Sequence, residues 1–241
     1  MAPGAGDAPP SGVTTDDPLV WIDCEVKFSR LVLIWGHEAC SQTCGKGAAT
    51  LPATWLNPDT EEIIEIYCII TTGNLEIIDQ EGYHTVIHCP ASRLDQMDEW
   101  CTQTHGNSGL TAAVLASSTT PEQAAEGLYN YITRFIPEKR KALLAGNSVH
   151  ADRAFLRREP YAKVIDHLHY RILDISAIKE AGRRWCSREI MAQAPAKKGR
   201  HLARDDILES IEEARPLIMS LNSSTVVNGP VELTAPVTYL T

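Results

Sequence analysis

The chain has 241 residues, 44% of them hydrophobic, which suffices for one well-filled core and reads as one domain. A formal net charge of −9 excludes broad electrostatic binding to long nucleic acid, which needs a basic face; a short nucleic acid held through metal ions remains compatible with it. Seven cysteines, an odd number without framework spacing, imply free thiols in a reducing compartment and exclude a disulfide scaffold.

Residues 1–17 are small, Pro-rich and acidic, and are expected to be disordered. They carry neither an apolar leader nor an Arg-rich amphipathic pattern, so a cytoplasmic protein is expected, with mitochondrial import left open. The apolar cluster Leu31 to Trp35 is far short of the ~20 residues that span a bilayer, so no membrane association is expected. Leu19 to Asp23 is continuously apolar until its last residue and predicts a central strand. It runs into Asp23-Cys24-Glu25, and alternation along a strand puts the two carboxylates on one face and Cys24 on the other. Like charges this close resist burial unless a cation lies between them, and oxygen donors suit Mg²⁺ or Mn²⁺. Among 31 Asp and Glu such a pair also arises by chance on solvated surface; the buried-strand character ahead of it singles this one out.

Residues 26–55 have no assignable period, although His37, Cys40 and Cys44 are zinc-type donors at irregular spacing without a fourth nearby. Free thiols in a loop are the plainer reading. Ile63 to Thr71 is β-branched and apolar, Thr72-Gly73-Asn74 is turn chemistry, and Leu75 to Ile78 is expected to return as the second arm of a hairpin, extended or followed by Thr85 to Ile87. Ser92 and Asp95 form a capping-box pattern ahead of Leu94, Met97 and Cys101, a helical face that stops near Gly106. Thr120-Pro121-Glu122-Gln123 opens a helix whose Ala125, Leu128, Ile132 and Phe135 recur until Pro137. Ala142 to Ala145 reads as a short strand that breaks at Gly146-Asn147-Ser148, with a helix following through Phe155 and Leu156. Leu168 to Ile175 predicts another strand, and Asp205 to Ile218 a helix with Ile207, Ile211, Ala214 and Ile218 facing the core. Residues 216–241 are poor in charge and are expected to be mostly disordered. Strands alternating with helices after a hairpin predict a mixed sheet covered by helices, an α/β fold.

Asp152 falls early in the helix after the Asn147-Ser148 corner, and α/β folds gather ligands at the carboxyl ends of strands. His201 stands just ahead of the last helix and Asp206 within its first turns, with Asp205 as a rival carboxylate. Four acids and a histidine are the set required for two-metal phosphodiester hydrolysis, in which a neutral imidazole takes the proton of the attacking water.

Three motifs in order carry a resemblance: Val20-Trp21-Ile22-Asp23-Cys24-Glu25, then Leu144-Ala145-Gly146-Asn147-Ser148-Val149-His150-Ala151-Asp152, then His201-Leu202-Ala203-Arg204-Asp205-Asp206. With Asp98-Glu99-Trp100-Cys101, His105-Gly106 and His167-Leu168-His169-Tyr170-Arg171-Ile172-Leu173-Asp174 between them, the chain resembles the oligoribonucleases, DEDDh 3′-to-5′ exonucleases of the RNase H-like superfamily. The resemblance covers about Leu19 to Glu25 and Leu56 to Arg215. It implies a single RNase H-like domain over residues 18–215 that cuts short RNA oligonucleotides, down to dinucleotides, to 5′ mononucleotides with two Mg²⁺ or Mn²⁺ ions. It further implies that Asp23, Glu25 and Asp206 hold the first ion, that Asp23 bridges to a second beside Asp152, and that His201 is the general base. Leu56 would wedge between the bases, Trp100 would stack on or beside one, and Ser148 and His105 would contact the phosphate end. Tyr170 and Arg171 would reach across a homodimer to cap the 5′ phosphate in the partner's site. The residues alone leave blander roles open: core packing for Trp100, strand positions for His169 and Tyr170, helix termini for Ser148 and His105.

The chain departs from the family where Met-Thr-Gly-Leu should follow Glu25. Residues 26–55 stand there instead, and the pattern resumes at Leu56-Asn57-Pro58. Clean flanks favour translated intron sequence or a gene-model error over a genuine insertion loop, and the unrelated tail after Arg215 agrees. Two alternatives to short-RNA hydrolysis follow: a DEDDh exonuclease acting on longer RNA or single-stranded DNA, and a family member left non-catalytic by the interruption.

Overall fold

The computed structural model of the chain describes residues 15–27, 57–185 and 203–222. Its centre is a five-stranded mixed sheet in the order β3-β2-β1-β4-β5, formed by β1 (Leu19–Lys27), β2 (Glu62–Thr71), β3 (Tyr83–Val86), β4 (Leu143–Gly146) and β5 (Ile172–Asp174). β1 pairs antiparallel with β2 and parallel with β4, so the α/β mixed sheet expected from the sequence is present with β1 in its middle. The helices are α1 (Ala91–Leu94), α2 (Glu99–Asn107), α3 (Leu110–Ala116), α4 (Pro121–Phe135), α5 (His150–Leu156), α6 (Ala162–His167), α7 (Ile175–Trp185) and α8 (Ala203–Asn222).

Alternation along β1 sorts the core into two layers. Val20, Ile22 and Val26 pack with α4, α5 and α6 through residues such as Leu128, Ile132, Phe155 and Val164. Leu19 and Trp21, on the other face, meet Ile175 of α7 and Ile207, Ile211 and Ala214 of α8. Asp23 and Glu25 continue this second face. The register slips between Glu25 and Val26, where Ile64 of β2 is the extra residue: Glu25 faces Glu65 but Val26 faces Ile63. A bulge doubles side chains locally and re-aims them. Ile63 thereby joins the first layer, whereas Ile64 packs on a third cluster built by α1, α2 and α3 with Leu94, Met97 and Val114.

Several boundaries differ from the sequence reading. β1 runs past the expected end at Asp23 through Val26 and Lys27, which pair with Ile63 and Glu62 and stay in the sheet. The second arm of the hairpin is β3, because residues 75–78 contribute only the bridge Thr71↔Ile77 after a tight turn in which Leu75 has φ 65°. The first helical face is broken into α1 and α2: Asp98 accepts the Cys101 N–H at 2.8 Å and caps α2, whereas the Ser92 pattern caps nothing. The Thr120 and Gln123 capping box of α4 is present with both reciprocal bonds. The last strand shrinks to residues 172–174, since Leu168 closes α6 and Ile175 opens α7. Helices α3, α6 and α7 have no counterpart in the sequence reading, and α8 carries Pro216 inside it and runs from Ala203 to Asn222, longer at both ends than the expected Asp205 to Ile218. His37, Cys40, Cys44, Leu56 and His201 lie outside the described residues.

Trp21 and Thr71 are both fully buried, and the indole N–H of Trp21 donates to Thr71 Oγ1 at 3.0 Å. Thr71→Val keeps the shape but strands that donor, and should cost about 1–3 kcal/mol. Urea unfolding reads it as a lower midpoint at unchanged slope; an unmoved midpoint would show that the bond contributes nothing.

Candidate active site

The site begins where β1 outlasts its neighbour. β4 ends at Gly146, just past the level of Trp21, so the β4-facing edge of residues 23–25 has no strand to bond. A buried backbone donor needs a partner. The Cys24 N–H finds one in the side chain of Asp152, which accepts at 3.0 Å from the first turns of α5. This bond fixes Asp152 beside the strand that carries Asp23 and Glu25. From the opposite side, α8 lays its first turns over the same face of the sheet, and carboxylate oxygens of Asp23, Glu25 and Asp206 come within 4.8 Å of one another. Among the described residues the acid that α8 brings to this group is Asp206. Cys24 packs against the first core layer on the other face, as alternation requires.

These carboxylates are half-buried and repel one another. Burial, followed by the charges of Asp152, Glu25, Asp206 and Glu65, holds the Asp23 carboxyl well above the usual range. Glu25 is pushed up to about 8 by burial and then by Glu65, Asp206 and Asp152. Asp152 is raised to about 7 by burial, against the lowering effect of the Cys24 N–H and its own backbone N–H. A carboxylate cluster that would otherwise have to hold protons at neutral pH fits a hard divalent cation. The donor set is all oxygen, so Asp23, Glu25 and Asp206 could hold a divalent cation.

A cleft of about 260 Å³ opens over the carboxylates, lined also by Val26, Trp100, Asn147, Ser148 and Phe155. Trp100 is 52% exposed at its rim, so it is not the core residue that its helical spacing also allowed. Ser148 sits at the corner with φ 51°, its N–H donating to Asp174 Oδ1 and Ser176 Oγ, both at 3.0 Å. His105 is only 2% exposed; its Nε2 lies 3.4 Å from the Val26 carbonyl oxygen, behind the cleft wall and not on it. Tyr170 is 59% exposed, with the Arg171 guanidinium 5.2 Å from its ring centre and the Arg153 side chain donating to its carbonyl at 3.1 Å. Neither Tyr170 nor Arg171 lines the cleft of its own chain.

Sequence reasoning missed the residues around this site. Glu65 faces Glu25 across the strands and pairs with His84 at 2.7 Å. Asp174 caps the start of α7, accepting from Ser176 and Ala177 N–H, and also meets His150 Nδ1 at 3.2 Å. Asn147 donates to Ser210 and Glu213 of α8. A signal existed for the last two: they interrupt, with polar side chains, the face on which Ile207, Ile211 and Ala214 recur.

The model of a family described as exonuclease (RNase T) matches residues 53–214, which leaves β1 outside the match. The mitochondrial oligoribonuclease of Saccharomyces cerevisiae is 44% identical over 202 residues, covering 81% of this chain and 64% of that protein. The probable oligoribonuclease of Schizosaccharomyces pombe is 41% identical over 198 residues, covering 81% and 65%. The chain therefore spans a little under two thirds of the length of these two yeast proteins. An oligoribonuclease of Neisseria meningitidis is 42% identical over 162 residues, covering 67% of this chain and 84% of its own. Among solved structures, the nuclease domain of 3′hExo, a DEDDh family member, bound to rAMP, superposes with a TM-score of 0.51 at 16% identity, covering 86% of this chain and 94% of that one. That likeness shows the shared fold, the RNase H-like sheet expected from the sequence.

The raised carboxyls fix the sign of a pH effect. Glu25 titrates near 4.5 when unfolded and near 8 when folded, so the metal-free native state holds a proton that the unfolded state has lost, and stability falls as pH rises across that window. Asp23→Asn removes one member of the repelling set. At pH 8 without metal the variant should melt a few degrees above the parent, at about 3 °C per kcal/mol, and Mn²⁺ should raise the melting temperature of the parent alone. Equal melting of the two metal-free proteins at pH 8 would refute the repulsion.

Proposed function

The chain belongs to the oligoribonucleases of the RNase T exonuclease family, and from that membership we propose that it hydrolyses short RNA oligonucleotides from the 3′ end, down to dinucleotides, to 5′ mononucleotides. The observation that carries this reading is the convergence of Asp23, Glu25 and Asp206 within 4.8 Å, beside Asp152 and under a cleft edged by an exposed tryptophan.

Two Mg²⁺ or Mn²⁺ ions, when bound, would neutralise the scissile phosphate, activate the attacking water and stabilise the leaving 3′ oxygen. Asp23, Glu25 and Asp206 would hold one ion, and Asp23 with Asp152 the other, Asp152 directly or through water. Each residue then has a task the chain performs itself. His201, which precedes α8 by two positions, accepts the proton of the attacking water as a neutral imidazole. Trp100 stacks on a base at the rim, and Leu56 wedges between the two bases of the substrate. Ser148 contacts the phosphate end. His105, buried behind Val26, supports the cleft wall from the back.

Tyr170 and Arg171 are exposed and off their own cleft, which suits a role in the cleft of a second copy. In a homodimer they would cap the 5′ phosphate through a bidentate, charge-assisted contact, and a cleft closed at both ends admits only short substrates. Among the described residues no helix is long and apolar enough to cross a membrane.

Hydrolysis of a 5′-labelled diribonucleotide tests the reading. The parent should cleave it only with Mg²⁺ or Mn²⁺, and Asp206→Ala should lose roughly 10³-fold or more in kcat. Metal-independent cleavage, or full activity in Asp206→Ala, would overturn the site. Faster cleavage of long RNA or single-stranded DNA than of the dinucleotide would point instead to a general DEDDh exonuclease, and a folded parent that cleaves nothing to a non-catalytic relative. Tyr170→Ala should raise KM for the dinucleotide about tenfold while the fold persists; unchanged dinucleotide kinetics would remove the capping role.

A further inference from the structure

We propose that Asn147 is a positioning residue that couples the carboxylate end of the cleft to its phosphate end, acting through Ser210 and Glu213 of α8. The inference rests on reading the Asp23, Glu25 and Asp206 cluster as a divalent-cation site.

Asn147 is the first residue past the end of β4, and three of its hydrogen-bonding positions are in use. Its Nδ2 donates to Ser210 Oγ at 2.7 Å and to Glu213 Oε2 at 2.8 Å, and its Oδ1 accepts from Ser176 Oγ at 3.1 Å. Each partner leads to one end of the cleft. Ser210 Oγ donates in turn to the backbone carbonyl of Asp206 at 2.7 Å, one helical turn back, on the residue whose carboxylate must meet Asp23 and Glu25. Ser176 Oγ accepts the N–H of Ser148 at 3.0 Å and lies 3.2 Å from its hydroxyl, at the corner expected to face phosphate.

The chemistry of this bracket is unlike that of its surroundings. Ser210 and Glu213 are 4% and 3% exposed, on a helix whose neighbouring contacts are Ile207, Ile211 and Ala214. A buried carboxylate is costly unless it is paired and bonded, and Glu213 is both, accepting from Asn147 and from Lys179 Nζ at 2.9 Å. Apolar side chains could fill the same volume. They could not fix register, because apolar contact is non-directional. Register is what this site demands: repulsion among the carboxylates drives the first turn of α8 away from β1, and a slide or rotation of the helix is opposed by bonds that hold only in one alignment. The bracket aims Asp206 while the cluster is uncompensated by metal, and it passes the same alignment to the Ser148 corner.

Calorimetric titration of nucleotide-free protein with Mn²⁺, paired with thermal melts in chelator, tests the role. Ser210→Ala and Glu213→Gln should melt cooperatively and lose roughly tenfold in Mn²⁺ affinity, the scale expected when the partner of a ligand is removed, and Ser210→Thr, which keeps the hydroxyl, should restore it. Lower melting temperatures with parental Mn²⁺ affinity would reduce the bracket to a fold element and overturn the proposal. Hydrogen exchange on the parent needs no variant: Mn²⁺ should slow exchange both in the first turns of α8 and at residues 148 and 176, and protection confined to α8 would break the coupling. A parent that binds no Mn²⁺ would overturn the cation-site reading itself, a result distinct from variants that bind as the parent does.

Discussion

Repulsion among carboxylates at the end of one strand is the condition to which the rest of the fold answers. Asp23 and Glu25 share a face because a strand alternates, and they lie on the face that α8 covers because Trp21 and Leu19 bury there. The apolar half of β1 therefore brings its charged half under a helix that carries Asp206. Without a cation the arrangement is held against burial and its own charge, the two causes, in that order, that raise the Glu25 carboxyl. Stability has been given up locally, as is common where chemistry needs charges together.

The structure supplies that holding force by two different means. β4, the parallel neighbour of β1, stops early, and the freed Cys24 N–H takes the Asp152 carboxylate, so a gap in the sheet becomes a fixed point for a side chain. The bulge at Ile64 then ends the site on the other side. It leaves Glu25 opposite Glu65 but sends Ile63 and Ile64 to separate cores, anchoring β2 to both α4–α6 and α1–α3 just beyond the last carboxylate. Directional bonds and apolar anchoring are divided between the two edges of a single strand end.

The sequence exposed the parts of this arrangement that depend on short range. The apolar run into Asp23-Cys24-Glu25, the capping box at Thr120 and the corner after Ala145 each state their geometry locally, and all three stand where expected. Long-range partners were silent. Nothing near Glu65 announces that it will face Glu25, since register across β1 and β2 is set by a bulge whose position has no local signature. The returning arm at residues 75–78 had the right pattern but lost its partners to β3, a tertiary outcome that overrides local pattern. Asp98, which the sequence showed only as part of a family motif, is the cap that divides two helices. Ser210 and Glu213 were legible only as exceptions to an apolar stripe, and their meaning required Asn147, distant in sequence, to be placed beside them.

Charge sets the remaining logic of the proposed activity. A chain of net charge −9 repels a polyanion over most of its surface, so affinity for RNA cannot come from the counterion release that drives long, non-specific binding. Attraction has to be local and conditional. Cations bound among Asp23, Glu25, Asp152 and Asp206 would invert the sign of the cleft floor while the outside stays acidic. Each further phosphate beyond the cleft would then meet repulsion in place of attraction, and a substrate gains only from the nucleotides that fit between the cations and whatever closes the far end. Discrimination for short oligomers in this reading follows from the distribution of charge as much as from the room available, and the same carboxylates that repel one another restrict what the cleft can hold.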